Sequence, residues 1–149
     1  RQPMQALEVG KGRILRQGKD LAILSIGAIG TKALEAAELL EQEGVSVMHV
    51  DLRFAKPLDQ ALLHEVFTQH HQIITVEDGC IQGGVGSAVL EFMADHDYQA
   101  QVKRLGIHDT FIEHGSQDQL YTECHYNTQD IVEIARNFAQ IQQPKKKVI

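Results

Sequence analysis

The sequence predicts an α/β domain: three αβα layers around a mostly parallel, five-stranded sheet. Three observations lead there. Runs of strand length recur at residues 21–26 (LAILSI), 45–50 (VSVMHV), 72–77 (QIITVE) and about 101–106. A break containing glycine or proline follows each of the first three. An amphipathic stretch with helical spacing comes after each break. Strands that are apolar along their length and alternate with helices belong in a parallel sheet covered on both faces. The 149 residues fit a single domain. A chain of this size buries about two-thirds of its unfolded surface, roughly 16,000 Å², so its core needs no disulfide or metal.

Residues 1–10 read as an interdomain linker, and the domain is expected over 11–139. Arg13 to Arg16 (RILR) is a candidate edge strand. After the strand at 21–26, Gly27 and Gly30 make a turn and Thr31 is a candidate helix cap. Ala33, Ala36, Ala37 and Leu40 then share a helical face, and Gly44 ends that helix. In the loop 51–59 (DLRFAKPLD), Pro57 suits the start of a helix running to about Thr68. The loop 78–84 leads into Val85, Ala88, Val89, Phe92 and Met93, a stripe spaced i, i+3, i+4, i+7, i+8. A long irregular stretch follows the fourth strand. Asn127 then caps a last helix with Ile131, Ile134, Ala135 and Phe138 on one face. Residues 140–149 read as a disordered basic tail.

Charge and composition exclude several function classes. The chain carries 14 basic and 20 acidic residues, a net −6, and three of the basic ones are Lys145, Lys146 and Lys147 in the tail. The body is left with 11 against 20, or −9, a surface that repels a phosphate backbone, so no nucleic-acid partner is expected. Aromatic residues make up 5% and tryptophan is absent, which argues against a base-stacking surface. No apolar run approaches the roughly 18 residues of a membrane helix, and no signal peptide is read, so a cytoplasmic protein without a membrane partner is expected. Cys80 and Cys124 belong to no C-x-x-C pair and read as reduced cytosolic cysteines.

Two glycine turns lie where a helix begins. Gly27-Ala28-Ile29-Gly30 offers free N–H groups to an anion but lacks the three-glycine dinucleotide fingerprint, and Asp51 alone does not supply a ribose partner. The second turn, Glu77-Asp78-Gly79-Cys80-Ile81-Gln82-Gly83-Gly84-Val85-Gly86-Ser87, permits close backbone approach by a ligand or a neighbouring domain. Its two carboxylates oppose a phosphate, unless they bond backbone N–H groups. Gly83, Gly84 and Gly86 are therefore expected to serve backbone geometry and close packing at an interface, with Gly84 a candidate for positive φ.

Other site chemistry is incomplete. Adjacent His70 and His71 diverge by about 100° on a helix, and His114, Cys124 and His125 match no zinc spacing. Ser87 and Ser116 lack a nucleophile elbow and read as cap or turn residues. Asp78 and Glu77 beside Cys80 oppose the lowered pKa of a reactive thiol. The segment 110–126 (TFIEHGSQDQLYTECHY) interleaves polar groups with Phe111, Ile112, Leu120 and Tyr121. Glu113 and His114 are an acid–base pair in principle, but with no site beside them to serve, Glu113, His114 and Tyr121 read better as an interface with another domain or subunit. No catalytic, cofactor-binding or metal-ligating residue is assigned.

Three segments in order carry a family likeness: DLRFAKPLD, then TVEDGCIQGGVGSAVLE (Thr75 to Glu91), then FIEHGSQDQLYTECH (Phe111 to His125). With VGKGRILRQGKDLAILSIG (Val9 to Gly27) before them, they resemble the carboxy-terminal domain of the 1-deoxy-D-xylulose 5-phosphate synthase family, over about residues 9–139. Transketolase and the beta chain of the first component of pyruvate dehydrogenase are broader relatives. The resemblance implies a transketolase C-terminal-like fold within a homodimeric enzyme that uses thiamine diphosphate and Mg²⁺. That enzyme condenses pyruvate with D-glyceraldehyde 3-phosphate, releases CO₂ and feeds non-mevalonate isoprenoid and thiamine biosynthesis. In the family, the diphosphate-binding and pyrimidine-binding domains carry the site, and this chain has no G-D-G…N segment. It is expected to hold no cofactor, to be inactive alone, and to serve as an architectural, dimer-forming part. The alternative is a stand-alone interaction or anion-binding module that reuses the fold.

Overall fold

The computed structural model describes residues 6–140. Residues 1–5 of the expected linker and residues 141–149 of the expected tail lie outside the described residues. One mixed sheet of five strands has the order β1-β3-β2-β4-β5. β2 (Leu21–Ile26), β3 (Val47–Asp51), β4 (Gln72–Cys80) and β5 (Gln101–Ile107) are mutually parallel, and β1 (Arg13–Arg16) joins β3 antiparallel at the edge. The predicted αβα architecture and its edge strand are both present. β3 begins two residues later than the apolar run, and β4 continues three residues past it to Cys80.

Alternation along each strand divides the core in two. Leu21, Ile23, Val47, Ile74 and Val76 pack on one face under α1 (Gly30–Gln42) and α5 (Thr128–Gln140). Ala22, Leu24, Met48, Val50 and Ile73 pack on the other under α2 (Gln60–Gln69) and α3 (Val85–Asp95). The helical stripe of α1 is buried at the four expected positions, Ala33, Ala36, Ala37 and Leu40. Gly44, at φ +84°, ends α1, with Val45 N–H donating to Leu40 O and Gly44 N–H to Glu41 O. That pair of bonds is a Schellman closure, for which glycine supplies the left-handed residue.

Two expected helix starts are corrected. Thr31 sits inside the first turn of α1 and its hydroxyl donates to Ala28 O, while Ile29 holds the cap position without a side-chain bond. Thr31 lies two positions too far along to reach the orphan N–H groups. Pro57 does not open α2. Asp59 caps it, accepting from Leu62 N–H at 3.2 Å and also from Gly12 N–H, which ties β1 to the helix. Asn127 caps α5 as expected, with Oδ1 accepting from Gln129 and Asp130 N–H. The long irregular stretch contains an unanticipated helix, α4 (Gln117–Glu123). Gln119 Oε1 reaches back to Ser116 N–H at its start, and Lys32 of α1 holds Asp118 at 3.1 Å.

Candidate functional site

β2 runs into α1 and returns to β3 on one side, and β3 then crosses through α2 to β4 on the other. The carboxyl ends of β2 and β4 therefore flank the switch point of the sheet, where doubly wound domains gather their functional groups. Glu77 and Asp78 occupy that end of β4 and, being consecutive in a strand, point to opposite faces. Each meets a different set of donors.

Glu77 turns toward α3. It is 5% exposed, and its carboxylate accepts from Val85 N–H at 2.7 Å and Gly86 N–H at 2.9 Å. These are the N–H groups a phosphate would need, so the protein's own carboxylate fills the anion position of this helix start. The glycines follow from that packing. A Cβ on Gly84 would collide with the Glu77 carboxylate and Cys80 O, and one on Gly86 would meet Thr75 Oγ1 and Arg104. Gly84 has φ −79°, so the expectation of positive φ there is corrected: close approach demands the glycine, and the left-handed residue is Gly83 at +74°. Arg104 of β5 and Ser87 brace the turn. Arg104 Nη1 donates to Ile81 O and Ser87 Oγ, and Ser87 Oγ donates to Ile81 O. Ser87 is thus a turn residue.

Asp78 turns the other way and accepts a phenol on each oxygen, from Tyr121 at 3.1 Å and Tyr126 at 3.2 Å. Burial, together with the Asp78 charge and hydrogen bond, pushes Tyr121 up to about 12 and raises Tyr126 as well. Both phenols consequently stay protonated as donors. Burial first, then the neighbouring Glu123 and Asp78, raises the Cys124 thiol, which suits a buried, unreactive cysteine. Cys80 and Cys124 are both free.

The expected interface residues fall into three groups. Gly83 and Gly84 line a groove of about 920 Å³ between the turn, the 55–58 loop, Phe92 and His96. Glu113 and Tyr121 line a second cavity of about 320 Å³ on the α1/α5 face. Asp78 lies in the wall of both. His114 is exposed and Gly86 is buried within the chain, and neither lines a cavity. Tyr121, 3% exposed, is committed to Asp78, so Gly83, Glu113 and His114 present the accessible part of the set. Sequence reasoning missed Tyr126 and the part played by Asp78. The signal was two phenols five residues apart in a chain with three tyrosines.

His70 bonds Val66 O and Gly18 O, and His71 bonds Gln99 O, so these two rings serve the backbone. Among the described residues, no group of three or more His, Cys, Asp or Glu side chains is placed to hold a metal ion. No helix among them is long and apolar enough to cross a membrane.

Fold and site together define a doubly wound α/β domain with a self-capped glycine turn at its switch point. The chain belongs to the transketolase C-terminal domain family, whose model, described as "Transketolase, C-terminal domain", matches residues 10–131. It is 52% identical over 139 residues to a 1-deoxy-D-xylulose-5-phosphate synthase of Cytophaga hutchinsonii, covering 93% of this chain and 22% of the relative. It is 57% identical over 123 residues to the protein of the same name from Bacteroides thetaiotaomicron, covering 82% and 19%. The chain thus spans about a fifth of the length of the curated relatives it matches. Among solved structures it is similar to a chain described as "Split gene transketolase, inactive beta4 tetramer", with a TM-score of 0.84 and 33% identity over 92% of this chain and 45% of the other.

Proposed function

We propose that this chain is the C-terminal domain of a cytoplasmic 1-deoxy-D-xylulose-5-phosphate synthase. In this reading the full enzyme condenses pyruvate with D-glyceraldehyde 3-phosphate and releases CO₂, using thiamine diphosphate and Mg²⁺ bound by its other domains. This domain braces those domains and contributes to a homodimer. Identity of about half over most of the chain, to synthases of which the match spans about a fifth, carries the proposal.

The described residues do not fit thiamine diphosphate. The helix start best placed for a diphosphate is filled by Glu77. The adjoining groove carries Asp78, Glu91 and Asp95 against Lys56 alone, a charge balance that opposes a polyanion. The same geometry weighs against the alternative of a stand-alone anion-binding module. The test is direct: the isolated chain is mixed with thiamine diphosphate, Mg²⁺, pyruvate and D-glyceraldehyde 3-phosphate. No CO₂ above background and no magnesium-dependent rise in melting temperature are expected. Turnover or cofactor-induced stabilisation would overturn the architectural role. Sedimentation of the chain tests dimer formation separately.

A further inference from the structure

The smaller cavity has a chemistry that the proposed reaction does not use. Its volume, about 320 Å³, is at the lower end of what small ligands occupy. Asp78 and Glu113 contribute to its wall and no basic side chain does. Each Asp78 oxygen accepts one phenol, and a carboxylate oxygen has a second lone pair to offer. The Tyr121 and Tyr126 rings, 5.1 Å apart and inclined at 53°, form an aromatic wall, and Ile107, Ile112 and Leu120 an aliphatic one. Negative oxygens beside aromatic and aliphatic surface form the environment that takes an organic cation on a short alkyl arm.

We infer that this cavity binds an alkylguanidinium or alkylammonium group, with Asp78 and Glu113 as counter-charges and Tyr121 and Tyr126 as its walls. The cation arrives either as a free small molecule or as a basic side chain from the rest of a longer polypeptide. The inference rests on the cavity and stands whether or not the enzyme reading holds.

The probe is n-butylguanidinium chloride, titrated into the isolated chain and read from the tyrosine ring resonances. Saturable shifts at Tyr121 and Tyr126, with Tyr98 unmoved, are expected. Potassium chloride at matched ionic strength and n-butanol should leave all three in place. Glu113→Gln, an exposed substitution, should keep the melting temperature and weaken binding roughly two- to fivefold, the range for one exposed charge. Asp78→Asn should remove binding. The source of the cation is read in a full-length Cytophaga hutchinsonii synthase whose matching segment is replaced by this chain. Retained probe binding there indicates a free ligand, and loss of binding to an intact chimera indicates a resident side chain; both support the site. Shifts that fail to saturate, that potassium chloride reproduces, or that Glu113→Gln leaves unchanged would overturn the inference.

Discussion

Acidification should remove a definable part of this domain's stability at His49. It lies in the middle of β3 with no solvent exposure. Its Nε2 is 2.8 Å from Ser25 Oγ, and its Nδ1 has no partner among the described residues. A neutral ring tolerates that arrangement, whereas an imidazolium must bury a charge and a second N–H without an acceptor. Burial accordingly pulls the His49 pKa from 6.5 down to about 4, against a weaker upward pull from Asp51. The unfolded chain therefore binds the proton more readily than the folded one between those values. The stability contribution is complete above pH 6.5, falls as pH drops through the window from 6.5 to 4, and levels off below it. At about 1.4 kcal/mol per pKa unit, the loss between pH 7 and pH 5 is about 2 kcal/mol, and about 3 kcal/mol once pH passes below 4. Urea unfolding at pH 7 and pH 5, on the native chain and on His49→Gln, isolates this term because the other titrating groups are common to both. Native stability should fall by about 2 kcal/mol more than that of the variant. Equal pH slopes, or an NMR titration of the folded His49 ring centred near 6.5, would refute the reasoning.

Three further outcomes follow from the hydrogen bonds and close contacts of the fold. Gly84→Ala should cost about 1–3 kcal/mol through overpacking on Glu77, more than Gly83→Ala at about 1 kcal/mol through φ alone, and urea unfolding ranks the two. Glu77→Gln leaves one acceptor oxygen for two buried N–H groups and should cost about 1–3 kcal/mol, seen as a lower melting temperature. Asp59→Ala removes the α2 cap and its link to Gly12, and should cost about 1 kcal/mol.

The sheet was legible in the sequence because its central strands are buried on both faces, which leaves continuous apolar runs such as LAILSI. The stripes of α1 and α3 were legible for the complementary reason, that a helix on a sheet buries one side. Boundaries failed where polar residues continue a strand. Asp78, Gly79 and Cys80 extend β4, yet they look like a loop until Tyr121 and Tyr126 satisfy the Asp78 carboxylate. The turn α4 was hidden because its seven residues bury one side chain, Tyr121, too little for periodicity to register. Local pattern likewise predicted a loop at 78–84 but not the reason for Gly84, since contact between Gly84 and Glu77 depends on how α3 docks on β4. The pairing of Asp78 with Tyr121 and Tyr126 spans more than 40 residues, beyond any short-range signal.

The central claim, that this chain serves as the C-terminal domain of a synthase whose chemistry resides elsewhere, is tested most directly by exchange. The segment of the Cytophaga hutchinsonii synthase matched by this chain is replaced with it, and CO₂ release from pyruvate and D-glyceraldehyde 3-phosphate is measured. The account predicts turnover within about tenfold of the parent enzyme, a loss of no more than about 1.4 kcal/mol in transition-state stabilisation. A chimera that folds and binds thiamine diphosphate yet releases no CO₂ would contradict it.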